Sequence, residues 1–154
     1  MEFKHWLEVV AGRQIDTNQP LQISQIDPET DWELASEVEQ IAQVTGIRVS
    51  SNKDISIIAQ VGDQVIGGVA NALYQDDTEW GDQPVTTYDF DVVVSPQWQG
   101  YQMVGLKLID AAIAHAGSEN AQVARAWVVN KRLAPIMQSR YGFEGGPDIF
   151  YKWL

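Results

Sequence analysis

Apolar positions recur along this chain with two different periods, and the changeovers divide it into elements. Phe3, Trp6, Leu7 and Val10 fall at helical spacing, which predicts a short amphipathic helix over residues 2–11, stopped by Gly12. Gln14–Pro20 is mostly polar, ends in Pro and reads as a connector. Leu21, Ile23 and Ile26 then predict a strand. Asp27 follows as a candidate N-cap, with Pro28 at the first helical position and Glu29 in the first turn, where the helix dipole favours negative charge. Trp32, Ala35, Val38, Ile41 and Ala42 give a helix over 28–45 its apolar face, and Gly46 closes it.

Downstream, Ile55–Val61 and Gln64–Leu73 flank Gly62-Asp63, the pattern of a hairpin with a tight turn. Gln75–Pro84 is polar and acidic and reads as a loop. Thr86–Val94 alternates into the run Val92-Val93-Val94, a strand buried at its end. Met103, Leu106, Ile109, Ala112, Ile113 and Ala116 predict a helix over 102–116. Val123–Val129 reads as a strand, Leu133–Arg140 as a short helix with Pro135 tolerable in its first turn, and Ile149–Leu154 as a last strand. This order predicts an α/β domain with a mixed sheet and a strand–loop–helix crossover at its middle. Most of the six Trp residues are expected in the core, Trp127 on its strand among them, whereas Trp80 and Trp98 fall in loops where either is a candidate wall for a substrate.

Composition narrows the chemistry. At 154 residues, 45% of them apolar, the chain is long enough for one domain with a real core. The formal net charge is −11, a surface sign that repels phosphate backbones and anionic lipids, so neither nucleic acid nor membrane is an expected partner. The charge is unevenly spread: residues 1–90 hold four basic and 16 acidic side chains, residues 91–154 six and five. The absence of Cys removes disulfides, thiolate nucleophiles and Cys-ligated metals, and two His, His5 and His115, make a conventional metal site improbable. With no signal peptide or apolar span, the expected location is cytoplasmic.

One segment combines a buried strand, a loop with glycine and a helix start: Val92-Val93-Val94-Ser95-Pro96-Gln97-Trp98-Gln99-Gly100-Tyr101-Gln102-Met103-Val104-Gly105. Backbone N–H groups at such a helix N-terminus can face an anion, although glycine also serves turns alone. This segment, followed by Val123–Val129, Asn130, Leu133–Arg140 and Gly142-Phe143 and preceded by a hairpin with Gly67-Gly68, resembles the GNAT superfamily of N-acetyltransferases over residues 21–154, which leaves residues 1–20 as an extension.

The resemblance implies a mostly antiparallel central sheet flanked by helices, and acetyl-CoA as co-substrate. It places the pantetheine arm on Val92 and Val94, and the pyrophosphate on Gln99, Gly100, Tyr101, Gln102, Met103, Val104 and Gly105. Asn130 matches a family Asn that contacts the pantetheine or a water; capping of the next helix is an alternative role. The chain departs from the family pattern in two places. Counting from Gln99 puts Gln102 and Val104 on positions the family keeps small, and counting from Gly100 recovers Gly105 but leaves Met103. The residue four before Gly142, where the family often has a Tyr acid, is Gln138, and an amide cannot donate that proton. Tyr141 is the nearest phenol, about 300° round the helix from Gln138 at ~100° per residue, and is either a packed aromatic or the acid.

Acyl transfer to an amine also needs a base, because an ammonium is not nucleophilic. Asp89 and Asp91 share a strand face by period two and are candidates to hold a cationic acceptor and take its proton, or they form a solvated face; Glu79 is a further candidate. His115, at a helix end, reads as structural. The expected activity is acetyl transfer to a primary amine of a small molecule or protein; the alternative is an inactive module of the same fold that binds a basic protein. The apolar stripe of 2–11 and the last strand each offer a surface for a homodimer.

Overall fold

The computed structural model describes residues 19–76, 84–127, 133–146 and 148–154. The predicted helix over 2–11 and the candidates His5, Glu79, Trp80 and Asn130 lie outside them. In chain order the elements are β1 (Leu21–Gln25), α1 (Trp32–Thr45), β2 (Asp54–Val61), β3 (Gln64–Asp76) and β4 (Val85–Val94), then α2 (Val104–Ser118), β5 (Val123–Trp127), α3 (Ala134–Tyr141), β6 (Glu144–Gly145) and β7 (Ile149–Trp153). Two single 3₁₀ turns, Pro96–Trp98 and Tyr101–Met103, bridge β4 and α2.

The strands form a seven-stranded sheet in the order β1-β2-β3-β4-β5-β7-β6. The β4–β5 pair is parallel and the others are antiparallel. Helices cover both faces. Ala35, Val38 and Ala42 of α1 pack on Ile55, Ile58, Val65, Ala70 and Val93. On the opposite face Val104, Leu108, Ile109 and Ala112 of α2, with Met137 of α3, pack on Tyr88, Phe90, Ala124 and Phe150. Along β4, then, Tyr88 and Phe90 look toward α2 while Val93 looks toward α1, as period two requires.

Gly67 and Gly68 permit this close weave. A Cβ on Gly67 would lie 2.4 Å from the Val93 carbonyl oxygen, and one on Gly68 2.6 Å from that of Ile57. At the end of α3, Gly142 takes φ 72°, and the N–H groups of Gly142 and Phe143 close on the carbonyls of Gln138 and Met137. Phe143 is thereby turned into the core at 3% exposure.

Several boundaries differ from expectation. α1 begins at Trp32, not Pro28. The Asp27 carboxylate accepts the Glu29 N–H, and the Asp31 N–H is bonded to the Asp27 carbonyl, so residues 28–31 turn before the helix starts. α2 begins at Val104, not at 102, because Gln102 and Met103 are left-handed at φ 44° and 59°. β3 runs on to Asp76, into the expected loop. The last strand is not a free edge, since Phe150 and Tyr151 pair with β6, an element too short to announce itself by periodicity.

The tryptophans correct the expected core. Trp98 lies in the expected connection between β4 and α2, but it is buried at 4%, edge-on to Tyr101, and packs in the core instead of walling a substrate. Trp32, Trp127 and Trp153 are 50% exposed or more. Trp127 stands at the last position of a five-residue strand, where the sheet no longer covers it.

Candidate active site

The parallel pairing of β4 with β5 runs from Thr87↔Val123 to Phe90↔Ala126 and stops there. β4 continues to Val94, still paired with β3 through Val94↔Gly67, while β5 turns its Trp127 to Ile149 of β7. Pairing between the two strands therefore ends at Phe90↔Ala126. Beyond Phe90 the side of β4 that faced β5 has no strand beside it among the described residues, so main-chain groups are left for another partner.

A cleft of about 330 Å³ opens at this parting. Its walls are Val92 and Val94 of β4, Ala126 and Trp127 of β5, Val104 and Ile109 of α2, and Leu133 and Met137 around α3. Gln99, Gly100 and Gly105 form its mouth, and Asp91 reaches its edge. The lining is largely apolar with few polar groups, the usual character of a small-molecule site. The sequence candidates thus divide. Val92, Val94, Gln99, Gly100, Val104 and Gly105 gather round the cleft. The side chains of Tyr101 and Gln102, as distinct from their main-chain groups, turn away: the Tyr101 hydroxyl and the Gln102 amide both donate to the Gln19 carbonyl, and Gln102 Oε1 accepts the Leu21 N–H. Met103 projects outward, 52% exposed.

The side chain of Gln102 thus ties the loop to the start of β1, which helps to hold its unusual backbone. Left-handed residues at 100, 102 and 103 are followed by the right-handed Val104. Met103 and Val104 spend their N–H groups on the Gly100 and Tyr101 carbonyls, and the first turn of α2 offers donors that have no acceptor within the helix. A Cβ on either Gly100 or Gly105 would meet nothing within 4 Å. The space that glycine leaves there is open, not filled by the protein, so an anion can approach the main chain.

On the α1 side of the sheet lies a second cavity, of about 680 Å³. Asp91 lines both cavities, as does Trp127. Asp89 and Asp91 do share one face, but it is neither solvated nor vacant: they are 7% and 8% exposed. Lys53 Nζ donates to Asp91 Oδ2 at 2.8 Å and lies 3.5 Å from Asp89 Oδ1, and Arg125 donates to Asp89 Oδ2 at 3.1 Å. The register Asp89↔Arg125 sets the second pair directly opposite across the parallel strands. Burial raises the Asp91 carboxyl above the ordinary carboxylate range, with Lys53 opposing the shift and Asp89 adding to it.

Tyr141, 9% exposed, is set between helices, its hydroxyl donating to the Leu106 carbonyl at 3.1 Å. Burial, then Asp110, raises its pKa. It is absent from the cleft lining, and Gln138 is exposed. His115 is a strut: its Nδ1 lies 2.8 Å from the hydroxyl of Tyr88, a phenol that burial keeps protonated, and its Nε2 faces Glu119 at 3.4 Å. Among the described residues no group of three or more His, Asp or Glu is disposed to hold a metal, and no helix is long and apolar enough to cross a membrane.

Sequence reading missed Lys53, Arg125 and the exposure of Trp127. A signal for Lys53 existed, since Arg48 and Lys53 are the only basic residues between 14 and 90. Arg125 needed the register of two strands far apart in sequence.

No protein-family model matches this sequence, and no curated protein does. Solved structures do match. Ard1 from Thermoplasma volcanium superposes with a TM-score of 0.61 at 15% identity, over 87% of this chain and 97% of that one. A putative GNAT-family acetyltransferase from Desulfovibrio desulfuricans gives 0.60 at 15% identity, over 87% and 99%. An aminoglycoside acetyltransferase from an uncultured soil metagenomic sample, solved with sisomicin, gives 0.57 at 14% identity, over 83% and 90%. Matching these structures over 83–87% of its length, with one parallel pair in an otherwise antiparallel sheet, the chain has the fold of the GNAT acetyltransferases.

Proposed function

We propose that this protein transfers an acetyl group from acetyl-CoA to a primary amine. The observation that carries the reading is the parting of β4 and β5 after Phe90 and Ala126, which opens the apolar cleft directly onto the loop 99–105. An extended pantetheine arm fits beside Val92 and Val94, and the open space at Gly100 and Gly105 admits a pyrophosphate to the main chain. When bound, acetyl-CoA supplies a thioester carbonyl at which a C–N bond forms as the C–S bond breaks.

Asp91 is the base of this proposal, because it lines both the cleft and the second cavity. Its carboxylate takes the proton of the incoming ammonium, directly or through a water. Lys53 opposes the pull of burial on Asp91, and Arg125 pairs with Asp89. Trp127, half exposed, lines both cavities. No phenol lines the cleft among the described residues, and none is required for turnover: a thiol of pKa about 8.5 leaves as thiolate far more readily than an alkoxide and takes its proton from water. The amine-bearing acceptor, the cytoplasmic location and the homodimer remain parts of the proposal.

The test is calorimetry with acetyl-CoA, followed by CoA release over a panel of amines and peptides. Saturable binding with turnover of one amine class is expected. Binding without any turnover sinks the catalytic reading and leaves the inactive module that binds a basic protein; no binding sinks both the cofactor and the enzyme.

A further inference from the structure

The cavity on the α1 side has a charge pattern that the acetyl-transfer reading does not use. Four of its charges cancel in pairs: Lys53 with Asp91 and Arg125 with Asp89. Neither carboxylate is therefore without a cation. Two groups keep unspent capacity. Asp89 Oδ1 accepts no hydrogen bond, although its side chain is nine-tenths buried and its nearest cation, Lys53 Nζ, is 3.5 Å away. Arg48, on the segment that follows α1, is exposed and has no ion-pair partner among the described residues. The two basic residues of the whole stretch 14–90 thus line one cavity, one consumed by the buried acids and one not.

A buried acceptor with no donor is costly, and a ligand N–H aimed at it removes that cost. The planar fork of a guanidinium matches a carboxylate with two parallel hydrogen bonds. We infer that the acceptor is an amino-carboxylic acid, its amine seated at Asp89 Oδ1 beside Asp91 and its carboxylate on Arg48. The acid pair that sequence alone assigned to a cationic ligand instead receives one amine, and the remaining cation of the cavity selects for an anionic group on the same molecule. Asn52 and Ser50, on the same wall, offer neutral polar contacts to the carboxylate end.

This inference rests on the acetyl-transfer reading for what happens to the amine, but its recognition part is measurable without turnover. The probes are glycine, β-alanine and γ-aminobutyrate, each against its carboxamide, and 1,3-diaminopropane. They are titrated by calorimetry into the full chain saturated with CoA, then assayed for acetyl transfer. At least one acid is expected to bind more than tenfold tighter than its carboxamide, and Arg48→Gln to bring that pair within twofold, with Arg48→Lys restoring part of the difference. Where transfer is observed, the effect falls on KM for the acid more than on kcat. Equal affinity for acids and carboxamides, or tighter binding of the diamine, overturns the inference even if some amine is acetylated. Selective binding of an acid with no transfer upholds it and overturns the enzymatic reading instead.

Discussion

At the scale of single residues, the site turns on two groups whose surroundings change their ordinary chemistry. Asp91 must be ionised to take a proton, and burial has raised its pKa. The acid limb of kcat/KM is therefore expected above the usual carboxylate range, activity rising with pH as Asp91 ionises; a limb at or below that range removes Asp91 as the base. The sign for stability is opposite. The folded state holds this proton to higher pH than the unfolded chain, so at this position stability is gained as pH falls through the window between the two. Asp91→Asn should lower kcat about 100-fold or more while acetyl-CoA binding by calorimetry persists. Gly105 makes a complementary case. It sits in the first turn of α2 with open space where a Cβ would go. Gly105→Ala should raise thermal stability by up to about 1 kcal/mol, as alanine does in helices. The same variant should bind acetyl-CoA roughly tenfold more weakly, since the main chain is no longer bare. A variant that is more stable and binds equally well would place the phosphates elsewhere.

Elements show what period and punctuation convey and what they do not. The helices, the hairpin and β4 are legible because one face of each is apolar at a regular period and Gly or Pro marks its ends. The start of α2 is not, since Met103 fits the apolar stripe but its backbone is left-handed, held by the Gln102 side chain reaching to Gln19 and Leu21. Those contacts span more than 80 residues and leave no local trace. Likewise period two places Asp89 and Asp91 together, yet only register brings Arg125 opposite Asp89, and only packing brings Lys53 between the two acids. Gly67 illustrates the converse, a glycine whose need appears only once strands are paired. The Val93 carbonyl, 2.4 Å from a hypothetical Cβ, belongs to a central strand and cannot move freely. Gly67→Ala should destabilise by roughly 1–3 kcal/mol, seen as a lower denaturant midpoint or a lower Tm. An unchanged midpoint would mean that β3 and β4 do not approach as described.

For the molecule as a whole, ligand and fold are coupled because the cleft is a gap within the sheet itself. Acetyl-CoA at 100 times its Kd should stabilise the folded state by about 2.7 kcal/mol. For a domain of this size that raises Tm on the order of 5–10 °C, with Gly105→Ala reducing the gain and Arg48→Gln leaving Arg48 silent in this readout. The net charge of −11 also acquires a location: the first 90 residues carry −12 and the rest +1, and the buried acids Asp89 and Asp91, which straddle that boundary, are already neutralised by Arg125 and Lys53. A sheet whose two middle strands stop pairing at Phe90 leaves one side of Asp91–Val94 without a strand among the described residues, and a molecule that filled the gap would be read by atoms every residue possesses. Recognition of that kind is blind to side-chain identity along most of its length. The residues around such a cleft can drift widely while its binding role persists, so relatives of this chain are better sought by the angle between two strands than by the letters that spell them.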